Sequence, residues 1–212
     1  MNNLSVLCLA VAGLSACNGS NSKSSETANA SSRSNAAEKP NIVIILTDDQ
    51  GYGDMKCYGN SRLQTPNLDQ LAAEGIRFTN FYAGAAASTP SRAALLTGRY
   101  AERAGLQGVV DDLSVNGLES DEFTLADYLK QNNYATGIFG KWHLGLGDGA
   151  VDWNKLVYPG AKEIGYDYSF IQAATNDRVP CIFIENGRGV NLDPNDPLYV
   201  SYKENFPGEP TG

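Results

Sequence analysis

Apolar positions along the chain come in short blocks separated by glycine, proline and polar clusters. Ile42-Val43-Ile44-Ile45-Leu46 is an unbroken, mainly β-branched run, the pattern of a strand buried on both faces. It leads straight into Thr47-Asp48-Asp49-Gln50-Gly51. Thr65-Pro66-Asn67-Leu68 predicts a helix start, with a capping residue and a proline in the first turn, and Gly75 predicts its end. Residues 76–82 read as a second strand, followed by the small-residue loop Gly84-Ala85-Ala86-Ala87. A helix over 90–97 stops at Gly98, and Thr124 caps another over 125–132. Residues 134–139 read as the next strand. Strands alternating with helices predict an α/β layered sandwich around a largely parallel central sheet. No internal repeat is visible.

Ahead of this pattern lie two segments of another kind. Residues 1–17, MNNLSVLCLAVAGLSAC, carry no charge, and their apolar run is too short to span a bilayer but suits the core of a signal peptide. The segment ends in Leu14-Ser15-Ala16-Cys17, which resembles the lipobox of bacterial lipoproteins. That resemblance implies lipidation at Cys17, which would become the mature N-terminus; the simpler alternative is a secretory leader cleaved near Ala16. Both predict export to the periplasm or cell surface. Residues 18–39 are rich in Ser, Asn and Ala, cannot bury apolar surface, and read as a flexible tether to a membrane held only through the lipid. The folded domain is therefore expected over 40–212.

The chain has 212 residues, 42% hydrophobic and 19% charged, which is globular composition. A net charge of −8 disfavours wholesale nucleic-acid binding. Beyond the N-terminus no apolar run is long enough for a membrane span, and four Cys are too few for a disulfide-built scaffold.

In parallel sheets ligands gather beyond the carboxyl ends of the strands, and three polar clusters fall there. Asp48-Asp49 would repel one another unless a cation lies between them or one carboxyl keeps its proton. Such hard oxygen donors suit calcium or magnesium, while the plain alternative is an exposed loop. In Ser88-Thr89-Pro90-Ser91-Arg92, Ser88 either caps a helix or aims its hydroxyl at an oxyanion held by the helix start and Arg92. In Gly140-Lys141-Trp142-His143, Lys141 and the chain's one histidine would project to the same side of an extended segment, able to hold an anion. A lone histidine is equally often structural.

Together these stretches are far more specific. Residues 41–51, 88–99 and 134–144 resemble the type I sulfatases, of the alkaline-phosphatase-like superfamily. The first family signature is Cys or Ser, any residue, Pro-Ser-Arg, three residues, then Leu-Thr-Gly-Arg, and residues 88–99 match it throughout. The second centres on Gly-Lys-Trp-His, also matched, with Asn133 where glycine is frequent.

The resemblance implies that Ser88 is oxidised to formylglycine (3-oxoalanine) by a maturase. It implies calcium held by Asp48, Asp49 and the modified Ser88. Arg92 would steady the aldehyde hydrate, Lys141 would bind sulfate, and His143 would contact the hydrate. The implied activity is calcium-dependent hydrolysis of sulfate esters, of sulfated glycans or aryl sulfates. Alternatives are a phosphate-ester hydrolase with unmodified Ser88 or Thr89 as nucleophile, and a non-catalytic surface lipoprotein that binds sulfated glycans. Nothing after Leu146 resembles the segment in which sulfatases carry their remaining metal ligands, so the chain reads as the N-terminal part of a longer enzyme, incomplete at its C-terminus and inactive alone. Tyr166-Asp167-Tyr168 and Thr175-Asn176-Asp177-Arg178 are polar and aromatic enough to touch a sugar, or simply form loops at the rim of the site. Cys181 is expected within a strand, and whether it pairs with Cys57 is open.

Overall fold

The computed structural model describes residues 39–110, 117–201 and 208, which fall into two compact units, 1–82 and 83–212. The expected leader, Cys17, the tether over 18–38 and nearly all of the final loop-like segment lie outside the described residues.

In the first unit the expected helix is present as α1 (Pro66–Glu74), with Pro66 in its first turn and Gly75 at its end. Thr65 holds the capping position, yet its hydroxyl does not cap. It accepts from the Lys56 amide at 3.0 Å and donates to Asp69 Oδ1 at 3.1 Å. The other Asp69 bond, from the Cys57 amide at 2.7 Å, ties α1 to a pair of short 3-10 turns, Tyr52–Asp54 and Lys56–Tyr58. The strands expected over 42–46 and 76–82 do not form: both segments lack regular structure and leave side chains such as Ile45 and Ile76 exposed, at 61% and 76%. A strand exists only through its ladder, and among the described residues neither segment has a hydrogen-bonded neighbour strand.

The second unit holds α2 (Ser88–Thr97), α3 (Leu125–Gln131) and a four-stranded sheet. The strands β1 (Gly137–Lys141), β2 (Tyr168–Gln172), β3 (Phe183–Glu185) and β4 (Arg188–Gly189) lie in that order. Only β1 and β2 are parallel, in the register Lys141 opposite Gln172, and the other pairs are antiparallel. The domain is thus α/β, with a mixed rather than largely parallel sheet over the described residues. Cys181 lies outside β3 and is exposed, and both Cys57 and Cys181 are free thiols.

Local signals account for the helices. Gly98 closes α2 in the left-handed region (φ 64°), its amide reaching Ala94 O at 2.9 Å. Thr124 and Asp127 form a reciprocal capping box at the start of α3. The strand read over 134–139 begins later, because residues up to 136 serve the turn out of α3: Tyr134 N reaches Leu129 O, and Thr136 binds Gly165 O and Asp167. One buried cluster joins Ala93 of α2, Ala126 of α3, Ile171 of β2 and Ile184 of β3 to Trp142 and Ile164 of the crossover. That crossover, residues 142–167, is irregular and supplies much of the core.

Candidate active site

The parallel ladder carries the site. Beyond Lys141 the chain stays bound to the extension of β2, with Trp142 N on Gln172 O at 2.9 Å and His143 N on Ala173 O at 3.0 Å. The segment then turns: His143 has φ 57°, and Gly145, at φ 83°, packs against the backbone of Gly117, where a Cβ would fall 2.4 Å from its Cα. The extended geometry predicted for Lys141 to His143 therefore ends at His143. Trp142 and Leu144 are buried in the core to either side, and the Trp142 indole donates to Gly145 O at 2.6 Å.

The start of α2 meets this turn. Ser88 is the first helical residue, Ala87 occupies the capping position, and the Ser88 hydroxyl does not cap. Its Oγ accepts from Arg92 Nε at 3.1 Å and lies 3.1 Å from His143 Nδ1. Arg92 also donates through Nη1 to Lys141 O at 2.9 Å, so one guanidinium links the helix start to the end of β1. Ser88, Arg92, Lys141 and His143 are thus brought together as expected from sequence. Thr89 is different: it is fully buried, donates to His143 O at 2.8 Å, and accepts from Val110 N at 3.1 Å. With its hydroxyl engaged on both sides, Thr89 is a clamp and not a nucleophile. Nothing local in the sequence separates these neighbouring hydroxyls, since both of Thr89's partners come from distant segments.

His143 is 4% exposed, and its Nε2 has no hydrogen-bond partner. Burial lowers its pKa to about 4, with the positive charges of Lys141, Arg178 and Arg92 adding to the effect and the Val110 backbone opposing it. The ring is neutral at neutral pH. With Arg92 donating to Ser88 Oγ, the serine proton can point to Nδ1, which leaves the ring proton on Nε2.

Asp48 and Asp49 belong to the first unit and are exposed, with Asp49 at φ 54°. Beside them Gln50 Oε1 is buried without a partner, a neutral oxygen that sequence reasoning passed over although it adjoins the acidic pair. Two carboxylates and an amide oxygen are donors of the class calcium takes, and they would supply part of its shell of about six to eight oxygens. No group of three or more His, Cys, Asp or Glu able to hold a metal occurs among the described residues.

An α/β domain whose strand ends and helix start converge on a held hydroxyl is the arrangement of the alkaline-phosphatase-like hydrolases, the class of its structural neighbours. The Sulfatase family model matches residues 40–179, and the chain belongs to the sulfatase family. It is 50% identical over 177 residues to an N-acetylgalactosamine-6-O-sulfatase of Bacteroides thetaiotaomicron, covering 83% of this chain and 35% of that protein. It is 58% identical over 113 residues to arylsulfatase A of Bos taurus, covering 53% of this chain and 22% of that protein. Among solved structures, a sulfatase described for glycosaminoglycan metabolism by Bacteroides thetaiotaomicron superposes with a TM-score of 0.73 at 50% identity, over 78% of this chain and 35% of that one. Another, solved with its substrate D-glucosamine-2-N,6-O-disulfate, gives 0.51 at 31% identity, over 68% of this chain and 26% of that one. The chain thus spans about a third or less of the length of these relatives.

Proposed function

We propose that the protein carrying this chain hydrolyses sulfate esters of sulfated glycans, with Ser88 as the precursor of formylglycine. The observation that carries the reading is Ser88 Oγ, released from capping and held 3.1 Å from both Arg92 Nε and His143 Nδ1, inside a complete twelve-residue signature. A phosphate-ester hydrolase has no need of that signature.

Formylglycine, when formed from Ser88, supplies a second oxygen on the same carbon, through which sulfate can leave by elimination. Calcium, when bound, supplies positive charge that acidifies that oxygen and draws charge from the sulfate; Asp48 and Asp49 are the residues of this chain that would hold it. The remaining roles fall to side chains. Arg92, tied to the end of β1, fixes the direction of the oxygen at Ser88. Neutral His143 holds or passes a proton at Nδ1 and leaves Nε2–H as a buried donor for an ester oxygen. Lys141 brings a positive charge to the sulfate. The uncharged apolar segment over 1–17, ending in Cys17, supports an exported protein anchored by a lipid on that cysteine. Glycan substrates are supported by the relatives named for, or solved with, sulfated sugars.

The test is the mass of the tryptic peptide spanning 78–92, from protein made anaerobically with an oxygen-independent maturase. Loss of two hydrogens at Ser88 is expected. An intact serine, while the same maturase converts a control protein, would overturn the reading and return the site to phosphate esters or simple binding.

A further inference from the structure

The ends of the two parallel strands bring a further cation to the site. Past β2 the chain runs beside the His143 turn through the Ala173 carbonyl, then folds tightly, with Arg178 N on Thr175 O at 3.2 Å. The Cys181 thiol pins that fold by donating to Asn176 O at 3.3 Å and Arg178 O at 3.1 Å. Arg178 is half-buried, and no carboxylate forms an ion pair with it among the described residues. Its charge acts on the His143 ring more strongly than that of Arg92, which touches the same serine, and less strongly than that of Lys141. Exposed Asp177 stands in the same field: the Thr175 hydroxyl and its own amide hold its carboxyl low, and Arg178 and Lys141 add to this.

Arg178 is thus a cation for which the mechanism has no use. Ser88 is already met by Arg92, and Lys141 serves the ester. Resting on the sulfatase reading, we propose that Arg178 is a specificity-determining residue that binds a second anionic group of the substrate, either the carboxylate of an adjoining hexuronic acid or a second sulfate on the same sugar. A guanidinium fork suits both groups through paired N–H donors, and the turn that carries it is braced by its own backbone and by Cys181. Asp177 beside it would repel such an anion wherever Arg178 is absent.

The test measures, by calorimetry on the full-length protein with Ser88 left unmodified, the binding of three probes: a monosulfated N-acetylhexosamine, that sugar with a second sulfate, and that sugar linked to a hexuronic acid. The wild type is expected to prefer at least one doubly anionic probe by about tenfold, as for one charge-assisted contact. Which probe is preferred tells carboxylate from sulfate. Arg178→Ala and Arg178→Gln are expected to bring that ratio close to one, and Arg178→Lys to retain most of it. An unchanged ratio in both neutral variants, or no preference in the wild type, overturns the proposal. Failure of the sulfatase reading shows separately, as unmodified Ser88 in the maturation experiment.

Discussion

Ser88 and Thr89 are consecutive hydroxyl residues with opposite fates. The first faces Arg92 and His143, and the second is locked between His143 O and Val110 N. Thr89→Val keeps the shape but leaves a buried carbonyl and a buried amide unpaired, so it is expected to destabilise the chain by roughly 2–4 kcal/mol. Urea unfolding measures this, and Thr89→Ser should recover much of the loss; a neutral Thr89→Val would show that the clamp holds nothing. Which residues gather at the site was legible from the signature. Their division of labour was not, because it depends on partners 21 to 55 positions away.

At the scale of elements, the signature owes its length partly to ending a helix well. Thr97 donates back to Ala93 O, Gly98 turns left-handed, and Arg99 pairs with Glu122 while donating to Arg103 O. These residues hold the end of α2 while its start presents Ser88. Helix α3 is secured comparably: Thr124 Oγ1 accepts from Asp127 N and donates to Ile164 O at 2.7 Å, joining the capping box to the crossover. Thr124→Ala should therefore lower stability by about 1–3 kcal/mol, more than an exposed cap alone. Thermal unfolding checks this, and a loss equal to that of Asp127→Ala would mean that the crossover bond adds nothing. Helices were readable because caps, prolines and glycines act within a few residues. The runs over 42–46 and 76–82 have strand composition without strand partners, and composition carries no information about pairing.

For the molecule as a whole, Tyr166 makes stability depend on pH at the alkaline end. It lies in the core cluster, and burial, followed by the Asp127 charge, raises its phenol from 10.0 to about 12. A raised folded pKa means that the folded chain keeps the proton that the unfolded chain has lost. The contribution is complete below about pH 10 and disappears as pH rises toward 12. Over that window unfolding free energy should fall by up to roughly 3 kcal/mol, a fall absent from Tyr166→Phe. Urea titrations across it compare the slopes; identical slopes would mean that the ring ionises as readily folded as unfolded. The sequence by itself determined the α/β class, the three helices, and the family with its set of site residues, since local capping chemistry and a contiguous signature need no distant partner to be read. Only the tertiary structure decided that the sheet is mixed, that Thr89 is a clamp, that Ser88 is no cap, and that Arg178 stands in the field of His143. Each of these is set by which segments lie side by side, and side-chain hydroxyls and charges take their roles from neighbours that folding alone supplies.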